Sequence, residues 1–160
     1  MLLRTWYQTI PLFFSFVMVT KPQTMSETIT YLGTEIDPRQ IQFSNGQWSF
    51  KGAAGRKGYF VLAAEWCHWC KRLASAMKDA RASYGFPSYY VQGDSGMGQQ
   101  LMQAMGAQGF PSVYVIGLDG TLTPYKGDRS PQALGNALAA PQQGGGGGAP
   151  TSWLSALFGW

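Results

Sequence analysis

Cysteine is nearly absent from this chain: there are two in 160 residues. Two cysteines exclude a multi-disulfide scaffold, and Cys67 and Cys70 stand too close together to staple distant parts of a fold. Histidine is scarcer still, with His68 alone, lodged between them. A structural zinc ion wants four ligands. The chain has no second C-x-x-C, so zinc would have to bridge two chains, and no metal site is expected. Charge is also thin, at 12% of residues and a net +4 at pH 7. No run of Lys and Arg alternates with aromatics, which leaves no nucleic-acid-binding signature; the basic bias reads as surface charge. Hydrophobic residues, at 45%, are plentiful enough for a core, and the length suits one domain with tails.

Four stretches divide the chain. Residues 1–27 carry Arg4 ahead of an apolar block from Leu12 to Val19, followed by Lys21 and Pro22. The block is shorter than the roughly 20 residues a spanning helix needs. It suits a secretory signal or a signal-anchor, with a poor cleavage site around Thr24-Met25-Ser26. A translation start at Met25 is the competing account, and it would leave a cytoplasmic protein rather than a secretory or membrane-associated one. Residues 28–140 form the folded domain. Residues 141–150 hold the glycine run Gly144 to Gly148, a flexible linker. Residues 151–160 form a short apolar tail in which Trp153, Leu157 and Trp160 share a helical face. Ten residues cannot span a bilayer, but an interfacial or partner-docked tail is compatible with that face, as is a disordered end. Two apolar termini together point to membrane association.

Inside the domain the pattern is weak from Thr28 to Gly58. Ile41–Phe43 and Trp48–Phe50 alternate around Asn45-Gly46 and predict a short hairpin. Tyr59 to Ala64 is a continuous apolar run, as a central strand buried on both faces requires. Leu73, Ala76, Met77 and Ala80 then recur at helical spacing opposite Lys71, Arg72, Lys78 and Arg81, a helix that Gly85 and Pro87 end. Ser88 to Gln92 is a second strand. Asp94 or Ser95 caps a helix with an expected stripe of Met97, Leu101, Ala104 and Met105, the methionines as core filler. Val113 to Ile116, a turn at Asp119-Gly120 and Thr121 to Tyr125 form an antiparallel pair. Ser130 with Pro131 starts a last helix that buries Leu134, Ala137 and Leu138. Strand, helix, strand, helix, strand, strand, helix makes an α/β sandwich with a mixed sheet and helices on both faces.

Cys67 and Cys70 carry the chemistry. Cys67 ends the buried strand's loop and opens the helix, where free N–H groups and the dipole favour thiolate, the species that attacks disulfides. Cys70 lies one turn on, within reach to resolve a mixed disulfide. Trp66 offers an apolar landing surface for a peptide. Flanked by Trp66 and Lys71 at a strand-to-helix turn, the pair is expected to lie clear of the core rather than as two inert buried thiols.

Trp66-Cys67-x-x-Cys70-Lys71 after a buried strand, Gly109-Phe110-Pro111 before a later one and Lys126-Gly127 after the hairpin resemble the thioredoxin family, over roughly Ile41 to Ala139. The resemblance implies a three-layer thioredoxin-like sandwich and a thiol–disulfide oxidoreductase with no bound cofactor. Its partners would be protein disulfides or dithiols and a reducing or oxidising thiol system. Cys67 and Cys70 would be catalytic. Pro111 would be cis beside the cysteines, and the Phe110 backbone would pair with an extended substrate. The departures are specific. The family often buries an Asp or Glu six residues before the first cysteine, where it takes the proton of the second; here that residue is Val61. Slow resolution is expected unless water or Glu65 substitutes, and Glu65 is expected to face the surface. The intervening pair is His68-Trp69. An imidazolium at His68 would stabilise a Cys67 thiolate, and a stabler thiolate makes a better oxidant; a merely solvated His68 is the plain alternative. Lys71 is a further modulating charge. With Val61 removing one catalytic aid, a peptide-binding or scaffold module of weak redox activity, working through Trp66 and Phe110, is the alternative function.

Overall fold

A computed structural model describes residues 28–140. The expectations for residues 1–27, 141–150 and 151–160 lie outside the described residues. Among the described residues no helix is long and apolar enough to cross a membrane.

Among the described residues, seven strands and three helices of nine or more residues follow in the order β1 (Thr34–Glu35), β2 (Ile41–Ser44), β3 (Gln47–Phe50), β4 (Gly58–Ala63), α1 (His68–Tyr84), β5 (Ser88–Gln92), α2 (Gly96–Ala104), β6 (Ser112–Ile116), β7 (Leu122–Pro124) and α3 (Pro131–Ala139). The main sheet runs β1-β5-β4-β6-β7, and β2 and β3 form a separate hairpin. β4 pairs in parallel with β5 and antiparallel with β6, so the sheet is mixed. Every residue of β4 is buried, because successive side chains leave on opposite faces and both faces are covered. Tyr59, Val61 and Ala63 join a core with Leu73, Ala74 and Met77 of α1 and Leu134 and Leu138 of α3. Phe60 and Leu62 join a second core with Leu101 of α2 and with Ile41 and Phe50 of the hairpin. The hairpin is tied to the sheet through the Phe50 amide, which donates to the Gly120 carbonyl at 2.8 Å.

Three local expectations are corrected. β1 falls in the weak stretch and was not expected there; it is two exposed residues paired to β5 at the sheet edge, too short to show alternation. In α2 the inward face is Gly98 and Leu101, with Met102 and Met105 half-buried, while Met97 is 47% exposed and Ala104 is exposed. In α3 the small inward residue is Gly135, with Ala137 only half-buried.

Glycine sets the α2 face because the helix lies directly on β5. A Cβ on Gly98 would fall 1.7 Å from the Gln92 carbonyl oxygen, a backbone atom that cannot turn aside. Gly98→Ala gains about 1 kcal/mol of helix propensity and loses more to the clash. A net destabilisation of about 2 kcal/mol or more is expected from the urea midpoint of the full chain; an unchanged midpoint would mean that α2 can lift from β5 without cost.

Candidate active site

The buried central strand β4 ends at Ala63, and a turn hands the chain to α1. The Cys67 amide donates to the Ala64 carbonyl at 3.1 Å, closing that turn. Cys67 has extended backbone and is the N-cap of α1, and its Sγ accepts from the Cys70 amide at 3.3 Å. This is the bond an N-cap serine or aspartate makes, here given to sulfur. Both cysteines are free thiols.

The pair is more buried than the sequence suggested: Cys67 is 4% exposed and Cys70 0%. The N-cap geometry folds the Cys67 side chain back over the first turn, and Cys70 falls on the inward face that continues through Leu73, Ala74 and Met77. The residues between and before them stay outside. Trp66 is 69% and Trp69 61% exposed, and His68 is exposed with its ring 6.0 Å from that of Trp69.

Burial pushes the Cys70 thiol up to about 12, followed by the hydrogen bond to Cys67 and the charge of Cys67; the Ala64 backbone and the Arg129 guanidinium act in the opposite direction. No carboxylate enters that balance. Val61, where the related pattern has an acid, is fully buried in the same core as Cys70. Glu65 is exposed and accepts from Gln92 Nε2 at 3.3 Å, which draws it toward β5. Lys71, on the first turn of α1, is half-buried.

A second loop completes the site. The Phe110–Pro111 peptide is cis, and the loop is held by the Ser112 hydroxyl donating to the Gly109 carbonyl at 2.7 Å. Phe110 packs against the core that holds both cysteines and meets Trp66 edge to face at 5.8 Å. Gly93 makes room for that ring: a Cβ there would sit 2.7 Å from Phe110 Cε1. The structure thus brings Trp66 to Phe110 and Phe110 to the core of Cys67 and Cys70, with Pro111 following on the same loop, and carries Glu65 to one side.

Arg129, in the loop between β7 and α3, was not singled out in the sequence. It donates from Nη2 to the Pro111 carbonyl at 3.4 Å and acts on Cys70 electrostatically. Its only signal was position, two residues past the Lys126-Gly127 pair that carried part of the resemblance. Among the described residues, no three His, Cys, Asp or Glu side chains are grouped to hold a metal ion.

No family model matches the sequence, and no curated protein matches it. Solved structures do. The J-Trx1 fragment of ERdj5 aligns with a TM-score of 0.50 at 18% identity, over 65% of this chain and 47% of that one. Human ERp44 in a zinc-bound form aligns at 0.50 and 16%, over 67% and 31%. Mitochondrial thioredoxin 3 of Saccharomyces cerevisiae, oxidized form, aligns at 0.50 and 17%, over 70% and 97%. The chain thus spans less than half of the first, under a third of the second and nearly all of the third. At identities of 16–18% these likenesses speak to the fold alone, and this chain has the thioredoxin fold.

Proposed function

We propose that the protein is a thiol–disulfide oxidoreductase that exchanges disulfides with protein substrates through Cys67 and Cys70. The observation that supports this most is the placement of Cys67 Sγ at the α1 N-cap, accepting the Cys70 amide, beside exposed Trp66 and the Phe110–Pro111 loop. In the reducing direction the Cys67 thiolate attacks one substrate sulfur. The substrate S–S bond breaks, one substrate thiolate leaves, and a mixed disulfide forms. Cys70 then loses its proton and attacks the Cys67 sulfur, and the second substrate thiolate leaves. The substrate gains two electrons and the pair becomes a disulfide; oxidation is the reverse, and a partner thiol system resets the pair. Arg129 is a positioning residue in this scheme, a cation that favours Cys70 thiolate where no carboxylate is at hand to take its proton.

The reduction potential of the full chain, equilibrated with glutathione buffers, tests this. A value near about −270 mV would mean a reductase, and one between about −180 and −120 mV an isomerase or oxidase. If no Cys67–Cys70 disulfide forms at any potential, the pair is not redox-active and the peptide-binding role takes its place.

A further inference from the structure

Charge is distributed unevenly around the cysteines. In sheet order, the chain following β5 and the chain following β7 lie on opposite sides of β4. On the β5 side one cavity is lined by Glu35, Glu65, Gln92, Asp94 and Ser95, and the cavity under Trp66 and Phe110 contains Asp94; neither is lined by a cation. On the β7 side a cavity of about 470 Å³ has Trp69, Arg72, Asp128 and Arg129 around an apolar floor of Leu73 and Ala76.

The cations of that cavity are held in place. Trp69 and Arg72 are three apart on α1 and share a face, and the Arg72 guanidinium lies 5.2 Å from the centre of the Trp69 ring. Arg129 is anchored by its bond to the Pro111 carbonyl. A guanidinium has five N–H donors in a planar fork suited to carboxylate, and stacking or a single carbonyl bond leaves most of them for a ligand. The anion present, Asp128, is already engaged: its carboxylate accepts from the Ser130 amide at 3.3 Å and the Ser130 hydroxyl at 2.8 Å. Trp69 belongs to the cysteine motif itself and Arg129 touches the Pro111 loop, so the cavity adjoins the site where a substrate chain would be held at Cys67.

We propose that the cavity formed by Trp69, Arg72 and Arg129 is a specificity subsite for an acidic side chain of the substrate polypeptide, close in sequence to the cysteine captured by Cys67. The inference rests on the disulfide-exchange function proposed above. Two cations against the one ionised carboxylate of Asp128 leave the cavity net positive over its apolar floor, so it favours the carboxylate and aliphatic stem of Glu or Asp over Lys.

The test is the exchange rate with matched disulfide peptides carrying Glu, Gln or Lys at each position up to three residues from the cysteine. The wild-type chain should favour Glu over Lys about five- to tenfold at one or two of those positions, as one or two partly exposed ion pairs allow. Added salt should compress the ratio. Arg72→Gln should bring it most of the way to unity. Arg56→Gln makes the same charge change at a residue outside this cavity and should leave the ratio intact; an equal fall there would mean that net charge, not the cavity, selects. Equal rates for Glu and Lys at every position would overturn the subsite while leaving disulfide exchange standing. If neither the peptides nor the neutral bis(2-hydroxyethyl) disulfide exchange at all, the oxidoreductase function falls and the subsite with it.

Discussion

Cys67→Ser is expected to lower disulfide exchange by roughly a thousandfold or more while leaving the fold as stable as before. The loss follows from chemistry: a serine hydroxyl is not ionised near neutral pH and forms no mixed disulfide, so the first bond of the exchange cannot form. The retained stability follows from geometry. Cys67 is the N-cap of α1, and its sulfur accepts the Cys70 amide at 3.3 Å. Serine is among the best N-caps and makes that bond with oxygen, so α1 keeps its cap and gains up to about 1 kcal/mol. The two effects separate cleanly in a pair of measurements, exchange rate and urea midpoint. The chain has no third thiol, so exchange above about 1% of wild type would have to come from Cys70 and would move the nucleophile there. Cys70→Ser should do the opposite: it should exchange once and stop as a stable mixed disulfide on Cys67, visible as an added mass.

The parts of the fold that could be read from the sequence are those whose side chains report their own environment. β4 shows itself because Tyr59 to Ala63 face two cores in alternation, which leaves no polar residue in the run. α1 shows itself because Leu73, Met77 and Ala80 form its buried stripe. β1 could not be read, since Thr34 and Glu35 are both exposed and owe their pairing to the backbone of β5. The α2 face is hidden from the sequence for a related reason. Hydropathy credits Met97 and gives nothing to Gly98, yet only a residue without Cβ fits against the Gln92 carbonyl. At the candidate site, the cysteines, Trp66 and the Phe110–Pro111 loop carry local signals. Arg129 carries none: its relation to Cys70 arises from tertiary packing of the β7–α3 loop over Pro111. The burial of both sulfurs was hidden too, because it depends on the N-cap fold-back and not on composition.

In the proposed exchange reaction, the same packing is expected to make the second half the slow one. With the Cys70 thiol pushed up to about 12, chiefly by burial, it is overwhelmingly protonated at pH 7. In the mixed disulfide Cys67 no longer carries a thiolate charge or accepts a hydrogen bond from the Cys70 thiol, but burial, the largest cause, remains. Resolution should therefore accelerate with pH, close to tenfold per unit from pH 6 to 9 with no plateau, since thiolate is gained at every step on the approach to the midpoint. Arg129→Gln removes a cation that favours the thiolate and should slow resolution at pH 7 about two- to threefold, without altering the slope. Val61→Asp tests the other side of the same balance. A carboxylate at a fully buried position on β4 costs on the order of 3 kcal/mol of stability, and its own proton affinity rises with burial. It then supplies the proton acceptor that this site lacks. Resolution at pH 7 should rise at least about tenfold and its pH dependence should flatten, measured as release of a labelled peptide from Cys67. A faster, flatter profile in a less stable protein would mean that Val61 holds the fold at the expense of turnover. An unchanged rate in a folded variant would mean that another group already takes the Cys70 proton.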